Sequence, residues 1–188
     1  MAPSALSEAM TDPFESLEQD HQDVDELFDQ FAQMEDDEEG EVDAAKIEIV
    51  EMICQKLNLH AQLEEEIVYP ELQAVIDQPE LIDEAEAEHA AAKELIAQLE
   101  TMDPSDPEFD STVELLAQSI RAHVAKEESE IFPMGRESSM DFSRVSASLD
   151  ARRIELDPEM DDSDDDDEEE SSSRSGRAPS GAMGRLAG

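Results

Sequence analysis

Apolar residues recur at spacings of three and four through most of the chain, the period of helices that each bury one face. The first stripe is Leu17, His21, Val24, Phe28 and Phe31, which sets a histidine in line with the core. Asp12 and Pro13 open it, with Asp as N-cap, Pro at the first helical position and Glu15 at the capping-box spacing. A second stripe, Ile47, Val50, Ile53, Leu57, His60, Glu64 and Ile67, predicts a helix from about Ala44 to near Pro70. Pro70 has no N–H for the helical ladder and is expected to kink or end that helix. Asp77-Gln78-Pro79 leads into a third helix with Ile82, Ala85, His89, Ala92, Ile96 and Leu99 in register. Beyond the turn cluster Asp103–Pro107, a fourth carries Val113, Leu116, Ile120, His123, Glu127 and Ile131 and ends near Pro133.

These stripes predict an all-α fold: an up-down-up-down antiparallel four-helix bundle over residues 12–136. Phe142, Val145 and Leu149 mark a short accessory helix within 137–156, leaning on the bundle. Residues 1–11 read as a loose leader, and the acid-rich stretch 35–43, with Gly40 inside, as a solvated loop. From Asp157 an acidic run and then Ser/Gly/Pro/Arg-rich sequence has too little apolar content to pack, so 157–188 is expected to be a disordered acidic tail.

Two segments are nearly the same. His60–Pro70 reads HAQLEEEIVYP and His123–Pro133 reads HVAKEESEIFP, each with Glu at four and five residues after the His, an aromatic at nine and Pro at ten. Residues i and i+4 share a helix face one turn apart, so His60 with Glu64, and His123 with Glu127, can reach one point beside their helix. Glu is common enough in this chain that the His–Glu spacing alone is weak; the match through the aromatic and Pro is what makes accident hard to defend. The other two histidines, His21 and His89, each follow an acid and each precede a Leu by six residues. All four histidines thus fall on core seams, one per helix, with two glutamates beside them.

A core histidine is ordinarily structural. Six ionisable groups in one core would need six partners, whereas a pair of metal ions satisfies them together. Imidazole and carboxylate suit iron, zinc or manganese, and affinity order does not choose among them. Ferritin-like di-iron sites use four carboxylates and a Glu-x-x-His spacing; here the spacing is His-x-x-x-Glu with two carboxylates on the seam. Fewer anionic ligands favour the reduced ion pair, and with it reversible capture of a small ligand over oxidising chemistry.

On these motifs the chain resembles the hemerythrin-like family, also called HHE cation-binding domains, over about Asp12 to Arg136. The motifs that carry the resemblance are DH near the start, H-x-x-x-EE with an aromatic-Pro end, EH in the third helix, and H-x-x-x-EE with IFP. The resemblance implies an oxo- or hydroxo-bridged centre of two iron ions. It makes His21, His60, His89 and His123 terminal metal ligands, and Glu64 and Glu127 bridging ones. Oxygen carriers of the family have a fifth His one turn from the third-helix His, where this chain has Ala85 and Lys93. That departure points to the four-His, two-Glu subtype; Glu86, three residues before His89, reads as a surface residue rather than a further ligand.

Charge narrows the function classes. The net charge is −41, and without residues 157–188 the remainder still carries −33, with 42 acids against 9 bases. Such a surface is unsuited to nucleic acid or anionic membranes, and it tolerates high ionic strength. No apolar run is long enough for a transmembrane helix, and the start MAPSALSEAM shows no secretory pattern. The single Cys54, between Ile53 and Leu57, reads as a small buried apolar residue, and a cytoplasmic location is expected. The leading reading is a non-heme di-iron protein that binds oxygen or nitric oxide for sensing, storage or scavenging, with no catalytic residue assigned. Its alternatives are a di-iron enzyme of peroxide or nitric oxide reduction or iron–sulfur cluster repair, and a plain zinc or manganese site for storage or structure.

A chain ending at Leu156 should keep its helicity and its metal content, as read by circular dichroism and metal analysis. Loss of either would show that the acidic tail belongs to the fold.

Overall fold

A computed structural model describes residues 12–34 and 44–157, so the leader, the acid-rich loop and all of the acidic tail except Asp157 lie outside the described residues. The described α-helices are α1 Pro13–Gln33, α2 Ala44–Leu63, α3 Tyr69–Val75, α4 Glu80–Leu99, α5 Phe109–Lys126, α6 Phe132–Glu137 and α7 Phe142–Leu156. Five-residue π-helical turns, Glu64–Val68 and Glu127–Ile131, join α2 to α3 and α5 to α6 without a break. Four antiparallel rods result, packed in the ring order α1, α2, α4, α5, with α7 laid across α1 and α2. None of the described helices is long and apolar enough to cross a membrane.

Local chemistry sets the ends of these helices. The Asp12 carboxylate accepts the Phe14 amide at 3.0 Å, and Asp141 accepts the Arg144 amide at 3.1 Å, each satisfying an N–H that the first turn leaves free. Asp103 and Asp106 do the same for Ser105 and Glu108 in the turn before α5.

Neither repeated helix stops at its proline. Both run on, to Val75 and to Glu137. A proline inside an α-helix crowds the carbonyl four residues back and leaves it unpaired. Here the turn just before each proline is wide: Tyr69 N–H bonds Glu64 O, and Phe132 N–H bonds Glu127 O, five residues back. Pro70 and Pro133 then fall in the first turn of a fresh α-segment, where a missing N–H costs little. The extra residue in each turn also shifts the register. Ile67, expected on the seam, is half-buried, while Val68 and Tyr69 take the inward positions at 0% and 1% exposure.

The interior has two apolar halves. One gathers Val24, Phe28, Phe31, Ile53, Leu57, Ile96, Val113 and Leu116, with Cys54 buried among them. The other gathers Phe14, Leu17, Leu63, Tyr69, Leu72, Ile82, Ile131 and Phe132, and α7 adds Val145 and Leu149 to it. Between them, on α1, α2, α4, α5 and the two π-turns, lies a layer of buried His and Glu side chains.

Gly135 allows α6 to close on the second half. A Cβ there would come within 2.4 Å of Phe14 Cζ and 2.7 Å of Leu72 Cδ2, both in the tightly filled core. Gly135→Ala should therefore destabilise the fold by about 1–3 kcal/mol despite the better helix propensity of Ala. Denaturant unfolding of the metal-free protein checks this; an unchanged or higher midpoint would contradict the packing.

Candidate metal centre

The polar layer contains all six residues singled out in the sequence. His21 enters from α1, His60 from α2, His89 from α4 and His123 from α5, and the π-turns supply Glu64 and Glu127 as their first residues. All six are buried, the two glutamates completely. The four Nε2 atoms point inward in two pairs: His21 with His60 at 3.0 Å, and His89 with His123 at 3.0 Å. Glu64 Oε2 stands 3.2 Å from His60 Nε2 and 3.4 Å from His89 Nε2, between the pairs. Glu127 Oε2 does the same from the other side, 3.2 Å from His123 and 3.3 Å from His21.

This donor set fits metal ions. Nitrogen ligands at about 2.1 Å from one ion and at right angles to each other are about 3.0 Å apart, the separation seen within each pair. Among the described residues, two groups of mutually close donors are present, His21, His60, Glu64 and Glu127, and Glu64, His89 and His123, so Glu64 belongs to both. Glu64 Oε1 is buried with no hydrogen-bond partner, a costly arrangement that a cation would relieve.

Around the layer runs a ring of carboxylates. Each histidine directs Nδ1 to an acid on a neighbouring rod: His60 to Asp20 at 3.4 Å, His89 to Glu65 at 3.0 Å, His123 to Glu88 at 2.9 Å, and His21 to Glu128 at 3.0 Å. A carboxylate only accepts, so Nδ1 carries the proton and the Nε2 lone pair of a neutral ring faces inward. These acids are the partners in the DH, EE, EH and EE doublets. Sequence reading noticed the doublets but assigned them no role, because acids are everywhere in this chain.

Tyr69 was missed too. Its hydroxyl donates to Glu127 Oε1 at 2.7 Å and stands 3.3 Å from Glu64 Oε2 and 3.4 Å from His89 Nε2. The repeat places Phe132 at the matching position, where it stacks on His21 at 5.8 Å as Tyr69 stacks on His89 at 5.5 Å. The Tyr-for-Phe difference between the copies was the available signal. Glu86 is exposed on the surface. Of the two positions one turn from His89, Ala85 is fully buried in the second apolar half and Lys93 bonds Glu65 at 2.7 Å. On the side of the layer away from Tyr69, a cavity of about 20 Å³ is bounded by the four histidines with Val24, Leu57, Ile96 and Ile120.

The family model for the hemerythrin HHE cation binding domain matches residues 12–135. A DNA nickase from Nostoc sp. (strain PCC 7120 / SAG 25.82 / UTEX 2576) is 33% identical over 119 residues, covering 62% of this chain. The match spans 31% of that protein's length. Among solved structures, a hemerythrin HHE cation binding domain-containing protein from Mycobacterium kansasii superposes with a TM-score of 0.66 at 19% identity. That likeness covers 78% of this chain and 87% of the other, and shows the fold.

The charges of the layer are coupled. Burial disfavours an imidazolium at His60, but Glu64 beside it, with Asp20 and Glu127, outweighs burial and lifts it from the ordinary 6.5 to about 10. His123 rises to about 9 against the same burial, through Glu127, Glu64 and Glu88. Burial and the neighbouring Glu64 oppose ionisation of Glu127, yet His123 and His21 bring it below the usual carboxylate range. Glu64 lies well below that range because His60 and His89 overcome its burial. The Tyr69 hydroxyl, buried beside both carboxylates, is pushed far up and keeps its proton.

The signs follow. The raised histidines stabilise the metal-free fold below their ordinary 6.5, and that contribution goes as pH rises through about 9 to 10. The depressed carboxylates stabilise it above their ordinary 4.5, and that contribution goes as pH falls through their folded values. At pH 7 the metal-free centre therefore carries imidazolium at His60 and His123, which a cation must displace. Loading it in weak buffer should release about two protons per chain. A pH-indicator titration measures this; loading without proton release would refute the assigned charges.

Proposed function

The chain belongs to the hemerythrin HHE cation-binding family, and on that premise we propose that it holds two iron ions and binds a diatomic ligand, oxygen or nitric oxide, for sensing, storage or scavenging. The observation that carries this reading is the pairing of four inward Nε2 atoms across two shared carboxylates, beside a small apolar cavity. His21 and His60 would hold one ion and His89 and His123 the other, with Glu64 and Glu127 reaching both. An iron pair in such a site supplies reversible electron transfer to a small ligand.

The remaining chemistry belongs to the chain. The Nδ1 carboxylates set the tautomer and angle of every histidine. The cavity of about 20 Å³ admits one water-sized molecule and offers a small neutral ligand an apolar wall. Two carboxylates and four imidazoles leave the centre less anionic than a four-carboxylate site, which supports capture over oxidation. The charge of −41 weighs against the nicking of DNA that the name of the Nostoc relative describes, and no such activity is proposed for this chain.

A second reading, turnover of peroxide or nitric oxide, is favoured by one observation. Tyr69 brings a hydroxyl to the layer, 2.7 Å from Glu127 Oε1 and 3.4 Å from His89 Nε2, where its hydrogen bond would hold Glu127 in place through a turnover. Tyr69→Phe separates the two readings, since it should leave ligand capture intact and slow turnover.

Expressed with ample iron, the protein should contain about two irons per chain, and the anaerobically reduced form should change its optical spectrum on admitting air or nitric oxide. The Glu64→Ala, Glu127→Ala double variant should lose nearly all of its iron. Full iron retention in that variant, or a wild-type chain that takes up zinc or manganese in place of iron, would overturn the reading.

A further inference from the structure

We propose that Arg153 on α7 is a positioning residue for the metal centre: it clamps the Asp20 carboxylate against His60 and so fixes the ring that faces the metal position. The proposal rests on the metal reading above. It assigns to a helix outside the four rods, and outside the matched residues 12–135, control over how firmly the centre keeps its ion.

The geometry is a chain of three groups. Arg153 Nη1 donates to Asp20 Oδ1 at 3.0 Å and Nη2 donates to Asp20 Oδ2 at 2.7 Å, a two-point fork. The same Oδ2 accepts from His60 Nδ1 at 3.4 Å, the longest of the four ring contacts. Two of the other carboxylates are braced by a cation from the rod that bears the histidine: Glu65 by Lys93 on the His89 rod, and Glu88 by Lys126 on the His123 rod. His60 takes its brace from elsewhere. Arg153 and Asp20 are only 18% and 17% exposed, so the pair is better shielded from solvent than a surface ion pair.

The clamp has work to do, because Asp20 has somewhere else to go. A groove of about 550 Å³ between α2 and α7 opens beside it, bounded by Gln55, Lys56, Asn58 and Leu156. Without the guanidinium, the Asp20 carboxylate would be drawn toward water in that groove and away from His60. Docking of α7 does not need Arg153. Val145 and Leu149 are buried at 1% exposure, Arg144 pairs with Glu71, and Arg152 pairs with Glu66 at 2.7 Å. Arg152 is thus the internal control: it ties α7 to the rod that bears His60, through Glu66, and touches no histidine partner.

The test uses the full chain loaded with ferrous iron, and follows iron release to an excess of a chromogenic ferrous chelator. Arg153→Ala should release iron about tenfold faster than wild type, the lower end of what losing an outer partner of a ligand costs. Arg152→Ala should stay within about twofold, as for an exposed pair. Arg153→Lys should fall between, since an ammonium restores charge without the fork. Asp20→Asn, which keeps the volume and removes the carboxylate, should match Arg153→Ala, and the double variant should be no faster than the faster single one. The optical spectrum of the oxidised centre should shift in Arg153→Ala and not in Arg152→Ala.

Equal release from the Arg153 and Arg152 variants would reduce the residue to a tether for α7 and overturn the proposal. If Arg153→Ala does not fold, wild-type release from Asp20→Asn overturns it instead. A wild-type chain that takes up no iron sinks the metal reading itself, whereas an iron-loaded chain indifferent to both substitutions sinks only the clamp.

Discussion

Everything in this protein depends on keeping six ionisable side chains dry in one layer. Glu64 and Glu127 are fully buried and four histidines nearly so, with apolar clusters above and below. Burying a charge without a partner is prohibitive, and burying one with a partner still needs good geometry to break even. The layer meets that demand in two stages. Inward, each carboxylate stands between histidines of opposite pairs; outward, each histidine is held by an acid of a neighbouring rod. Removing one member leaves the rest with charge they cannot place.

The bundle and the six inward residues were legible because both follow a period. Seams at three and four fixed which histidines face in, and the register held on α1 and α4 to their last turns. It slipped at the start of α2, where Ile47 is half-buried while Lys46 and Ile49 are buried, and again in the first π-turn, although Ile131 in the second π-turn lies inward as expected. Ile67 was assigned inward by counting through Glu64–Val68, but one extra residue in a π-turn moves Val68 and Tyr69 inside. The prolines are the visible trace of that irregularity: in an undisturbed helix Pro70 is expected to kink or end its helix and the fourth helix to end near Pro133, whereas both run on.

The carboxylate ring was illegible for a different reason. A chain with 53 acids gives no statistical weight to any one of them, so the doublets that contain Asp20, Glu65, Glu88 and Glu128 do not by themselves assign these acids a role. Only the cross-rod geometry distinguishes them. The same holds for Arg153, one of three arginines on α7 that pair with acids of the bundle. Tyr69 had a signal, its contrast with Phe132, but a hydroxyl gains meaning only once the turn that aims it is known.

The pairing of the histidines has a consequence for how the centre is assembled. His21 pairs with His60 across one helical hairpin, and His89 with His123 across the other, over separations of 39 and 34 residues. The contact of Glu128 with His21, which joins the hairpins, spans 107 residues. Closing the longer span costs roughly 1 kcal/mol more chain entropy than either short one. Each hairpin therefore gathers its own two imidazoles locally, and Glu64 and Glu127 come to stand between the two pairs only when the hairpins dock. Nascent chain emerging from a ribosome would present the first half, His21 with His60 and Glu64, before the second exists. On the metal reading proposed above, an ion held by that half would tie the order of metal uptake to the order of synthesis.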